Sequence, residues 1–173
     1  MSKTFKAIEP KIKALAIYQL AGGGIGIALT VAAMVNYFSD INGPVLIFYC
    51  MALGLYLYSI YCGILLFENY KTGLRHSFIN QILQLMSISF LGYSFQYIAG
   101  FYIVIGIDLT DGFLLTSGNG LSTWQMLFNT GERSLFLKVN PVAIFLILFI
   151  EKAKKLLNEM EVEKQLSEII VVE

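Results

Sequence analysis

The sequence predicts an all-α integral membrane protein: an antiparallel bundle of four transmembrane helices, a small outer loop region with some β-structure, and a cytoplasmic helical tail. Three observations predict it. Hydrophobic residues make up 57% of the 173-residue chain and charged residues 14%, where soluble domains carry about 25% charge. The windows 14–39, 41–67 and 77–107 contain no Asp, Glu, Lys, Arg or His. Each is longer than the about 20 apolar residues that cross roughly 30 Å of hydrocarbon. Ten of the twelve basic residues, finally, fall on one side of the membrane when four spans are threaded.

The first span is read at about 14–38, after a short basic lead. Ser39 to Gly43 forms a tight outer turn, and Pro44 suits the first position of the next helix. The second span is about 44–67. A short inner loop, Glu68 to His76, makes spans two and three antiparallel neighbours. The third span is about 77–105, long enough to tilt or project beyond the bilayer.

A fourth uncharged window, 112–131, does not qualify as a span. It carries Gly118-Asn119-Gly120 at its centre and polar residues throughout, and unpaired backbone in hydrocarbon costs several kcal/mol per group. It is assigned to the outer region, about 108–136. Turns are expected at Ser117–Gly120 and at Asn129–Glu132, and Ser134 to Asn140 alternates like a strand. The expectation is a partly β-structured cap, with Trp124 and Phe128 anchoring it at the interface.

The last span, about 137–157, is built on the apolar core Val142 to Ile150, with Lys138 and Lys152 reaching the two interfaces. The tail, about 158–173, continues as a helix with mixed charge, its Lys164-Glu168 pair at i,i+4 spacing.

This threading places ten basic residues inside: Lys3, Lys6, Lys11 and Lys13, then Lys71 and Arg75, then Lys152, Lys154, Lys155 and Lys164. Only Arg133 and Lys138 lie outside. Both termini are therefore expected in the cytoplasm, in a cell membrane read as a bacterial inner membrane. The first uncharged run is too long for the 7–15-residue core of a cleaved signal and reads as a signal anchor. Ser2 in place of Gly removes the myristoylation pattern, and no prenylation box ends the chain.

Function classes narrow by exclusion. Net charge is zero, with no basic patch or motif for nucleic acid. No ionisable residue occupies the middle of a span, where proton relays and ion-coupled carriers need one. One histidine, His76, cannot supply a bis-histidine haem or a typical zinc site. Cys50 and Cys62 share one helix, roughly 18 Å apart by helical rise, and cannot pair. Asp108 and Asp111 read as a turn, two carboxylates being short of a calcium ligand set. No catalytic motif, metal site or cofactor is expected.

Two residue sets remain. Gly22 and Gly26 form a GxxxG pattern, extended by Thr30 and Ala33 into a small-residue face suited to close helix packing. Asn80, Gln84, Ser87 and Ser94 fall on one stripe of the third span, with Gln19 able to face them. They read as interhelical hydrogen-bonding groups or as the lining of a path for a neutral solute. The leading expectation is a non-catalytic accessory, structural or regulatory subunit that packs against other membrane proteins or a second copy. The alternatives are a small passive channel or transporter for a neutral solute or lipid, and an interfacial lipid-modifying enzyme using Asp108, Asp111 or Glu68.

Overall fold

Among the described residues, two of the four expected spans form as helices both long and apolar enough to cross a membrane. The computed structural model describes residues 3–127 and 134–172. Helix α1 (Lys3–Asn36) and helix α2 (Gly43–Glu68) make an antiparallel hairpin. A single 3-10 turn, Phe38–Asp40, joins them. The Asn42 side chain caps α2 by accepting from the Val45 N–H at 3.1 Å, and Pro44 sits in the first helical turn. Both helices are long and apolar enough to cross a membrane, α1 over Lys6–Asn36.

The third span does not form. Helix α3 (Tyr70–Leu83) follows α2 after one residue, Asn69, whose side chain accepts from the Lys71 and Thr72 N–H groups. It ends at Leu83. The expected helix 77–105 gives way to strands β1 (Met86–Phe90) and β2 (Tyr93–Asp108). Leu91 and Gly92, with φ of 50° and 83°, make the two-residue turn between them, a connection matched to strand twist.

β2 then pairs along its length with β3 (Leu114–Leu127). Gly118 to Gly120, expected as a turn, lies within β3; the chain reverses instead between Asp108 and Leu114. Strand β4 (Phe136–Val139) replaces the start of the expected fourth span, 137–157. Helix α4 (Pro141–Val172) supplies the rest and runs on through the expected tail. Among the described residues, the all-α four-span bundle is thus replaced by four helices and a four-stranded antiparallel sheet ordered β1-β4-β2-β3. β1 also pairs with the start of β2, so β2 is shared at both of its ends.

The physical reason is clearest in β1, MSISF, where apolar residues alternate with serine at period two. Ser87 and Ser89 point inward, while Met86, Ile88 and Phe90 are exposed. A helix cannot separate residues of that period. The second turn expectation, Asn129–Glu132, and the Phe128 anchor lie outside the described residues.

Two cores result. At one end Ile8, Ile12, Leu15 and Ala16 of α1 meet Leu66, Leu74, Ile150 and Ala153, so that all four helices share a small bundle. Beyond it α1 and α2 continue as a pair, and the sheet packs on their flank around Ala52, Tyr56, Tyr97 and Ala99.

Candidate functional site

Where the sheet crosses the helix pair, the interior is polar. The Ser59 hydroxyl (α2) donates to the Gln19 carbonyl (α1) at 3.1 Å, and Ser77 (α3) donates to the Gln19 Oε1 at 3.2 Å. Asn80 Nδ2 donates to Ser59 Oγ at 3.2 Å. The Tyr97 hydroxyl of β2 lies 3.1 Å from Asn80 Oδ1 and 2.8 Å from the Leu55 carbonyl, and its one proton serves both acceptors. Gln84, the C-cap of α3, accepts from the Ala99 N–H at 2.9 Å. One network therefore ties α1, α2, α3 and β2 together without a single ionisable carboxyl, amine or imidazole.

Ala99 lies in a β-bulge between Ile98 and Phe101, where Gly100 takes φ of +107°. The bulge lets the strand bend onto α1. A Cβ on Gly22 would overlap the Gly100 nitrogen and lie 2.6 Å from the Ala99 carbonyl carbon. Gly22 thus receives a strand rather than another helix. Gly26 faces the ring of Tyr56, and Thr30 donates to the Gly26 carbonyl at 2.8 Å within its own helix. The close approach of α1 to α2 uses Gly23, beside the Tyr56 carbonyl, and Gly63, beside the Ala16 carbonyl.

Five buried polar atoms have no partner among the described residues: Gln19 Nε2, both amide atoms of Gln81, Gln84 Nε2 and Ser94 Oγ. Buried groups of this kind cost about 1–3 kcal/mol each and are uncommon in native interiors. Ser87 is buried on the same inner face of the sheet. Of the polar stripe, Asn80 reaches Ser59 and Gln19 reaches Ser77, while Gln84 holds a strand; Ser87 and Ser94 lie on strands, not on a helix.

Tyr97, Gln81, Ser122 and Asn140 complete the junction; Gln81 is legible beside the polar stripe of Asn80 and Gln84, and sequence reasoning does not single out the other three. Asn140 has a legible signal: it caps α4 immediately before Pro141, accepting from the Val142 N–H at 3.1 Å. Tyr97 has none, being one tyrosine among ten.

A second feature is a cleft of about 490 Å³ between β3 and the upper helix pair. Thr30, Ala33, Phe48, Tyr49 and Tyr56 form one wall, and Ser122 to Met126 the other. Its Trp124 packs edge-on against Phe95 with centroids 5.8 Å apart.

The other candidates stay separate. His76 Nδ1 lies 3.2 Å from the Tyr58 hydroxyl at the end of the helix pair. Asp108 accepts from the Thr110 N–H at 2.9 Å. Hydrogen bonding from the Thr110 side chain, then from its backbone, holds that carboxyl below the usual range. Among the described residues no three His, Cys, Asp or Glu side chains gather. Comparison with protein-family models, curated proteins and solved structures gives no match to this chain.

Proposed function

We propose that the chain is a non-catalytic accessory subunit of a membrane assembly, anchored by the α1–α2 hairpin and covered on its sheet face by another protein. One observation carries this reading. Ile88, Leu137, Ile107 and Leu115 are cross-strand partners in register across all four strands. They are 43%, 44%, 36% and 73% exposed. At about 4.8 Å per strand, that apolar row is roughly 14 Å wide. Phe101 and Leu121 extend the same outer face toward the helices.

Neither solvent suits this face. Contiguous exposed apolar surface in water marks an interaction site. Hydrocarbon does not accept it either, because among the described residues the sheet is open along β3 and unpaired backbone there has no water to bond. A protein partner satisfies both conditions.

The orientation with both termini cytoplasmic belongs to this proposal. Lysines and Arg75 of α1, α3 and α4 lie toward the shared four-helix end, where Lys71 pairs with Glu161 at 2.8 Å. The opposite loop, 37–42, has no Lys or Arg. That asymmetry supports an inward four-helix end.

The experiment is purification of the tagged chain from its native membrane in mild detergent, beside a Leu137→Asp variant. A stoichiometric companion is expected with the wild type and lost with the variant. A lone, well-behaved wild-type species contradicts the reading.

A second reading has its own support in the unpartnered amide atoms of Gln19, Gln81 and Gln84. Such groups can serve as contacts for a small neutral solute. Reconstituted vesicles test it: flux of water or glycerol changed by Gln81→Met favours a pathway, and no flux in either protein removes it.

A further inference from the structure

The cleft beside β3 is lined by Ser122, Thr123, Trp124, Gln125 and Met126, five consecutive residues. Alternate side chains of a strand point to opposite faces. Five in a row therefore border one space when that space lies along the strand's edge. Among the described residues β3 has only β2 as a paired strand, so its other edge is the one the cleft follows. That edge carries outward N–H and C=O groups that need partners. Natural edges are usually guarded by lysine, proline or a covering element. Leu114–Leu127 reads LLTSGNGLSTWQML, with no charge and no proline.

The facing wall is complementary. No Asp, Glu, Lys, Arg or His lines the cleft, so a charged occupant would lose hydration without compensation. Thr30, Ala33, Phe48 and Tyr49 give that wall both small and large side chains. We propose that this cleft is a strand-addition groove that takes an extended, uncharged peptide segment of a partner protein, pairing with the β3 edge. The inference rests on the accessory-subunit reading and names the chemistry of the partner's contact. Main-chain bonds supply affinity in such grooves, and side-chain pockets supply selectivity. Ala33 lies three residues from the end of α1 and Leu29 seven, which puts that side of the groove within about 10 Å of the hairpin loop at 1.5 Å per residue, and Tyr56 closes its deeper end. The partner segment is therefore one that lies near the membrane surface on the loop side.

The chain's one tryptophan, Trp124, is a built-in reporter in the groove. The full chain in lipid discs is titrated with a blocked alternating valine–threonine peptide, and with the same peptide N-methylated along one edge. A saturable shift of Trp124 emission is expected with the first peptide, at least tenfold weaker with the second. Ala33→Phe, which fills the groove, is expected to weaken the first peptide at least tenfold. Equal binding of the two peptides overturns the inference, since the site is then a greasy slot without backbone pairing. A shift produced by a short-chain lipid but by neither peptide also overturns it. Retention of the native companion by Ala33→Phe and its loss from Leu137→Asp overturns the groove while leaving the accessory-subunit reading intact.

Discussion

Ser122 and Gly22 lie 100 residues apart and meet at 2.8 Å, the Ser122 hydroxyl donating to the Gly22 carbonyl. The same hydroxyl oxygen accepts from the Gly100 N–H at 3.0 Å. One side chain thus joins α1, the β2 bulge and β3, at the point where Gly22 lets the backbones touch. Ser122 itself holds φ of 41°, an unusual value for serine, and the two hydrogen bonds oppose that strain.

Ser122→Ala leaves the buried Gly100 N–H unpaired and should cost about 1–3 kcal/mol. Thermal unfolding in detergent reads it, and an unchanged midpoint contradicts the bridging role.

Gly22→Ala should cost a further about 1–3 kcal/mol, because its Cβ meets strand backbone that cannot yield like a flexible side chain. A Cβ on Gly24 would meet nothing within 4 Å, so Gly24→Ala is the matched control. It should be neutral or stabilising by up to about 1 kcal/mol, as helix propensity implies. Equal effects at the two positions contradict the close approach of sheet to helix.

Tyr97→Phe removes a proton shared by Leu55 and Asn80 and should lower stability by about 1–2 kcal/mol. Gln81→Met acts in the other direction. Among the described residues both Gln81 amide atoms lack partners in a fully buried site, so a side chain of similar shape without them should raise stability by about 1–3 kcal/mol. A loss of stability instead would mean that Gln81 bonds an occupant of the interior.

How much of the fold is legible in the sequence differs by region. The α1–α2 hairpin is, because uncharged windows, Asn42 and Pro44 mark its helices and loop. The continuous α4 is legible in part, from the apolar core Val142 to Ile150 and the i,i+4 pair Lys164-Glu168 that carries the helix into the tail. Strand β4 is legible in the alternating stretch Ser134 to Asn140, while β1 and β2 are hidden by an inversion. Exposed Ile88 and Phe90 with buried Ser87 and Ser89 give 77–107 the uncharged look of a span, and hydropathy averaged over such a window cannot register the period-two alternation. The polar groups of the stripe are visible as a set, yet their geometry depends on a strand, so Tyr97 and Ser122 cannot be found from helical spacing.

Leu115→Asp and Leu137→Asp should leave the unfolding midpoint nearly unchanged, both positions being exposed. Recovery of a stoichiometric companion should fall at least tenfold for each. Large destabilisation by either would mean that the row packs within the chain.

The membrane hairpin is tested most directly by single cysteines placed at Ser39, Thr72 and Asn158, on a background in which Cys50 and Cys62 are replaced by alanine. An impermeant thiol reagent applied outside intact cells should label the Ser39 position and leave Thr72 and Asn158 unlabelled until the membrane is opened. Labelling of all three from outside, or of Asn158 alone, contradicts a two-span anchor with both termini in the cytoplasm.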